Sequence, residues 1–111
     1  MEKFQIIKSA RRYRDELAIA ALNTTTRRIL AAQAADELLN IRGITASFVL
    51  YPDGDRVIIS ARSIGAANVQ VILEALGGGG NQATAGAQVQ GVDIKTALER
   101  LVASIDKFFE E

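Results

Sequence analysis

Two strand-like runs, at residues 44–51 and 56–62, stand on either side of Pro52-Asp53-Gly54-Asp55. Proline presets the φ of a turn and glycine accepts positive φ, so this segment predicts a β-hairpin. The hairpin fixes an antiparallel pair around which every other element must be arranged. In its second run Val57, Ile59 and Ala61 share one face while Ile58, Ser60 and Arg62 share the other. Arg62 therefore leaves the sheet at the far end of the strand, beside the loop at 63–67.

Around the hairpin the chain alternates helix and strand. Residues 2–13 set Phe4, Ile7 and Ala10 at helical spacing among charges and predict a short, exposed helix. Residues 17–22 form a small apolar run with no polar face, which suits a strand covered on both sides. One of the threonines at 24–26 is expected to cap a helix carrying Leu30, Ala34, Leu38 and Ile41 on one face, with Gly43 as its left-handed terminator. Asn68 is placed to cap a helix whose Val69, Ile72, Leu73 and Leu76 form an apolar stripe. That helix ends at Gly77, Gly78, Gly79 and Gly80. A small-residue strand at 83–89 follows, then a helix capped by Asp93 with Ile94, Ala97, Leu98, Leu101, Ile105 and Phe108 down one side. The fold class is α/β: a single domain with a mixed sheet of about four to five strands, helices packed on it, and a glycine-rich loop between a helix and a strand.

The composition restricts the chemistry. The chain has 111 residues, no Cys and no His. Without Cys there are no disulfides, no thiolate catalysis and none of the common structural zinc sites; without His the usual general base, the serine triad and most catalytic zinc are lost. Thirteen Lys and Arg balance thirteen Asp and Glu, which argues against the broad basic face of non-specific nucleic-acid binding. A few local cations still suffice for one small anionic ligand. No apolar run approaches the ~20 residues of a membrane span and no export signal is evident, so a cytoplasmic domain is expected.

The glycine run is the strongest local signal for a site. Each glycine in ordered structure costs roughly 0.5 to 1 kcal/mol in chain entropy, so four together need a reason. One reason is a loop crossing close to another backbone; the other is a concave nest of backbone N–H groups that receives a phosphate. Gly78, Gly80 and Ala83 formally satisfy G-x-G-x-x-A, but that fingerprint belongs between a strand and the following helix, and here a helix precedes the glycines. Arg62 and Ser63 are the next candidates, a guanidinium and a hydroxyl expected to converge on one anion at a strand end facing the glycine loop. Asn68 and Gln70 offer amides, Asn68 serving equally as a cap. Asp53 and Asp55 read as turn residues rather than a metal pair. Arg11, Arg12 and Arg14 read as a solvated face, and Phe108 and Phe109 as core and its edge.

The stretches IISARS, beginning at Ile58, and NVQVILEALGGGGNQATAGAQV, beginning at Asn68, resemble the type-1 DHH-associated domain. The likeness runs back through AADELLNIRGITASFVL and covers roughly residues 13 to 110. It is nearest to the module found in membrane-anchored cyclic di-AMP phosphodiesterases. The resemblance implies a substrate-binding domain at 15–111, with 1–14 as a linker helix from an upstream DHH domain. That DHH domain would hold manganese and hydrolyse cyclic di-AMP to pApA. By the same resemblance Arg62, Ser63, Asn68, Gly77, Gly78, Gly79, Gly80, Asn81 and Thr84 contact substrate. The implied partners are a cyclic dinucleotide or short oligonucleotide, the upstream DHH domain and a second copy in a homodimer, with no direct membrane contact by this segment.

Two departures from the family pattern stand out. No Asp-His-His sequence is present, so no residue here is assigned a catalytic role and Met1 is expected to begin an excised segment. The histidine that normally follows the glycines is Asn81, which can donate a hydrogen bond but cannot become cationic. Two other readings keep the same fold: a nucleic-acid-binding module of an oligoribonuclease, or one like that of alanyl-tRNA synthetases, whose related module lacks the histidine.

Overall fold

The computed structural model describes residues 1–110. In chain order the elements are α1 (Lys3–Ser9), β1 (Arg11–Tyr13), β2 (Leu17–Ala21), α2 (Arg28–Leu38), β3 (Ala46–Asp53), β4 (Arg56–Ser63), α3 (Val69–Glu74), β5 (Gly79–Gly80), β6 (Thr84–Gln90) and α4 (Ile94–Glu110). The strands form one sheet in the order β1-β2-β3-β4-β6-β5. Among the described residues only β2 and β3 pair in parallel, with α2 as the crossover between them; the other neighbours are antiparallel.

The hairpin forms as expected. Asp53 pairs with Arg56 across Gly54 and Asp55, and Gly54 takes φ 64°. Arg56 grips the Asp53 carboxylate with Nε at 3.2 Å and Nη2 at 2.9 Å, so this aspartate serves the turn. Strand alternation then builds two cores. Val57, Ile59 and Ala61 of β4 join Phe48 and Leu50 of β3 under α3 and α4, whose Ile72, Leu73, Leu101 and Ile105 are fully buried. Val49, Tyr51 and Ile58 face the other way, against Ala31, Ala34, Ala35 and Leu38 of α2 and Ile6 of α1. Three alanines on the buried face of α2 let it lie close to the sheet, and the buried Ser47 hydroxyl donates to the Ala35 carbonyl. No helix among the described residues is long and apolar enough to cross a membrane.

The two helical layers cover unequal areas. On the α1/α2 side cover ends at β4, and Thr84, Gly86, Gln88 and Gln90, the residues of β6 on that side, are exposed. On the α3/α4 side Ala85, Ala87 and Val89 are buried.

Several local expectations are corrected. The helix predicted over 2–13 ends at Ser9, because Ala10 turns extended and Arg11–Tyr13 adds an edge strand to β2. It is docked rather than exposed: Ile6 is fully buried while Phe4 of the expected stripe is 67% exposed. No threonine caps α2; its N-cap is Arg27, and the Thr26 hydroxyl instead donates to the Met1 carbonyl at 2.6 Å. The sheet has six strands, since β1 and the two-residue β5 carry too little pattern to register as strands. Asn68 and Asp93 do cap α3 and α4, accepting from Val71 N at 3.2 Å and Thr96 N at 2.8 Å.

The turn between β1 and β2 holds Arg14 and Asp15 at φ 52° and 63°, a left-handed conformation costly for non-glycine residues. Contacts to α4 stabilise it. Arg14 donates to Asp106 at 3.0 Å and Glu110 at 2.7 Å, and the Tyr13 hydroxyl donates to Asp106 at 2.6 Å. The Tyr13 bond, then that of Arg14, holds the Asp106 carboxyl below its ordinary value; the same bond to Asp106 raises the Tyr13 hydroxyl above its own. The Asp106 contribution to stability is present above the unfolded carboxylate value of about 3.9 and is lost as pH falls through the lower folded value. The Tyr13 contribution is present below about pH 10 and is lost as pH rises past that point. We expect thermal unfolding to show Asp106→Asn losing most of its deficit relative to wild type at acid pH. Parallel curves for the two proteins from neutral to strongly acid pH would contradict this.

Candidate functional site

Three of the four consecutive glycines have local reasons. Gly77 closes α3 at φ 81°, its N–H donating to Glu74 O at 3.1 Å while Gly78 N reaches Leu73 O at 2.8 Å. A Cβ at Gly78 would stand 2.3 Å from the Gly86 carbonyl oxygen, and one at Gly80 would stand 2.3 Å from that of Thr84. The run is therefore pressed onto β6, which is the packing reason for glycine.

The Asn81 N–H donates to Thr84 O at 2.8 Å, and its Oδ1 accepts from Ala83 N and Thr84 N, both at 2.9 Å. The amides of Gly77, Gly78 and Asn81 are thus spent within the loop, and the expectation of a concave nest of free N–H groups is corrected. What the loop leaves open is Gly79, over which a Cβ would meet nothing within 4 Å.

Arg62 lies on the α2 side of β4. Its Nε donates to Asp36 Oδ1 at 2.8 Å and its Nη1 to Ala61 O at 2.9 Å, with the side chain 17% exposed. Two of its five N–H groups are committed, and the two bonds fix the direction of the guanidinium plane. Thr84, exposed, stands opposite it in the β4–β6 pair.

The expected convergence of Arg62 with Ser63 is corrected, because adjacent strand residues point to opposite faces. Ser63 is 6% exposed and its Oγ accepts from Gly65 N at 3.2 Å. It lines a pocket of about 260 Å³ with Asn68, whose Oδ1 is occupied by the α3 cap, and with Gln82. The residues singled out from the sequence therefore fall into two groups. Arg62, Thr84 and the glycine run share the α2 side, Ser63 and Asn68 the far pocket, and Asn81 sits in the turn joining β5 to β6. Gln70 lies in α3, outside both.

Beside α2 the uncovered face forms an open groove of about 590 Å³, floored by Ser60, Gly79 and Gly86 and edged by Arg28, Gln88 and Gln90. Arg28, Gly86, Gln88 and Gln90 escaped the sequence reading. The signal was present: polar or side-chain-free residues at 84, 86, 88 and 90 alternate with Ala85, Ala87 and Val89. Among the described residues no three acidic side chains gather where a metal ion could be held, so these residues do not fit a manganese centre and no chemistry is assigned to one here.

Residues 15–111 match the DHHA1 domain. The chain belongs to this family. It is 43% identical over 115 residues to the cyclic-di-AMP phosphodiesterase GdpP of Bacillus subtilis, covering 99% of this chain and 18% of that protein. To the cyclic-di-AMP phosphodiesterase PdeA of Listeria monocytogenes it is 40% identical over 112 residues, covering 98% and 17%. The chain thus spans less than a fifth of these curated relatives. An exopolyphosphatase-related protein from Bacteroides fragilis superposes with a TM-score of 0.82 at 20% identity, covering 96% of this chain and 33% of that one. The pGpG-specific phosphodiesterase PggH from Vibrio cholerae does so at 0.62 and 17%, covering 95% and 37%. These two establish a common fold.

The glycine geometry makes a direct comparison possible in this DHHA1 domain. Gly78→Ala and Gly80→Ala should each cost about 2 kcal/mol or more in urea unfolding. Gly79→Ala should lie within about 1 kcal/mol of wild type or be slightly more stable. A loss at Gly79 equal to the other two would mean that the floor above it is filled.

Proposed function

We propose that this domain is the substrate-binding part of a DHH-type phosphodiesterase acting on an adenine dinucleotide, with hydrolysis of cyclic di-AMP to pApA carried out by a separate DHH domain of the same polypeptide. The observation that carries the reading is Arg62: a guanidinium held in one direction by Asp36 and Ala61 O, with unspent donors, at the edge of a bare sheet face. A phosphodiester gains two parallel charge-assisted bonds from such a group, and pre-orientation lowers the entropy lost on binding. Thr84 across the strand pair and the Asn81 side-chain N–H groups are the next donors. Ser63, tied to Gly65, and Asn68, tied to Val71, act in this reading by fixing the loop that follows Arg62.

The relatives support a dinucleotide over a polymer. GdpP and PdeA are cyclic-di-AMP phosphodiesterases and PggH is pGpG-specific, while the balanced charge of this chain supplies no extended basic track. In this reading the domain works in the cytoplasm, as part of a membrane-anchored parent.

The test is calorimetry of pApA binding to wild type and Arg62→Ala. The loss of one charge-assisted phosphate contact, worth about 1.5 to 3 kcal/mol, should weaken binding roughly ten- to hundredfold. Stability should change by less than about 1 kcal/mol, because the partner Asp36 is mostly solvated and remains so. Unchanged affinity would overturn the assignment of Arg62.

A further inference from the structure

The groove beside α2 has a floor without side chains at its centre. Gly79 faces Gly86 across the β5–β6 pair, and Gly86 faces Ser60 across the β4–β6 pair. Neither glycine takes a positive φ. A Cβ at 79 would meet nothing within 4 Å, and one at 86 would stand 3.3 Å from the Ile59 carbonyl oxygen, tighter than ordinary van der Waals contact. Turn geometry and packing, which account for the neighbouring glycines, do not account for Gly79. Glycine inside a strand weakens it, and it recurs where another group must lie directly on the backbone.

The rim of the groove is rich in donors. Gln88 Oε1 is occupied by Arg56 Nη1 at 2.6 Å, which leaves the Gln88 amide nitrogen as its available group. Arg28, at the start of α2, can only donate. A matching ligand is flat, carries acceptor atoms along its edge and fills part of about 590 Å³, a volume within the range of small-molecule sites. The Ser60–Gly86 pair lies two residues along from Arg62–Thr84, about 7 Å by strand rise. A phosphate at Arg62 therefore brings the group attached to it over the glycines.

We propose that Gly79 and Gly86 form a stacking platform on which one nucleobase of the dinucleotide lies flat, with Gln88 and Arg28 donating to its ring acceptors. The proposal rests on the reading of Arg62 as the phosphate contact, and two probes separate the two. One is pApA; the other is ribose 5-phosphate, which keeps the phosphate and sugar and lacks the base. Binding of both to the 111-residue chain is followed by amide-shift titration, which reads weak affinities.

Gly79→Val should retain the melting temperature and the affinity for ribose 5-phosphate while weakening pApA about ten- to hundredfold, the scale of one lost base stack. Gln88→Glu keeps a partner for Arg56 but replaces the donor with an acceptor, and should weaken pApA about tenfold with ribose 5-phosphate unchanged. It carries the test alone should the valine disturb the fold. If Arg62→Ala weakens pApA while Gly79→Val and Gln88→Glu do not, the platform is overturned and the phosphate contact stands. Equal weakening of both probes by the groove variants also overturns it. Failure of wild type to bind pApA overturns both readings.

Discussion

The pairing of β3 with β4, from Ala46↔Ser63 to Asp53↔Arg56, decides which side chains meet which helices. Because side chains alternate, a slip of β4 by one residue against β3 would send Val57, Ile59 and Ala61 to the α2 side and put Ser60 and Arg62 beneath α3 and α4. Gly54 and the Arg56–Asp53 ion pair pin that register at the turn. Everything functional inherits it: Arg62 meets Asp36 only because β4 enters the sheet in this phase.

Unequal cover by the helices turns a stable sheet into a binding surface. The α3/α4 layer reaches β6, whereas the alanine-faced α2 settles over β3 and β4 and leaves β6 and β5 bare on its side. A bare strand normally presents side chains to water. Here its central positions are glycines, so the exposed surface is backbone, and a flat ligand can approach as closely as another strand would. The amides of Gly77, Gly78 and Asn81, by contrast, are consumed in ending α3 and turning into β6.

Much of this was legible in the residues themselves. Alternation in 56–62 assigned Arg62 and Ser60 to one face, the Pro-Asp-Gly-Asp segment gave the turn, and Asn68 and Asp93 gave two caps. The family was legible through the ARS and glycine motifs, and the match over residues 15–111 bears it out. Other features depended on partners distant in sequence. The purpose of Gly78 and Gly80 is visible only once β6 lies against them. Edge strand β1 forms because β2 offers it a ladder, not because Arg11, Arg12 and Tyr13 favour extension. Nearness in sequence suggests that Ser63 joins Arg62, although the alternation that places Arg62 sends Ser63 to the other face. The turn held by the Asn81 oxygen is not visible in the sequence, and it leaves the side-chain N–H groups uncommitted.

The central claim is that the dinucleotide meets the bare α2 side of β4, β6 and β5. Mapping backbone amide shifts of the wild-type chain on adding pApA tests it most directly. The account predicts the largest changes at Ser60, Arg62, Gly79, Thr84, Gly86 and Gln88. Changes centred instead on Ser63, Ala67, Asn68 and Gln82, the pocket on the opposite side, would contradict it.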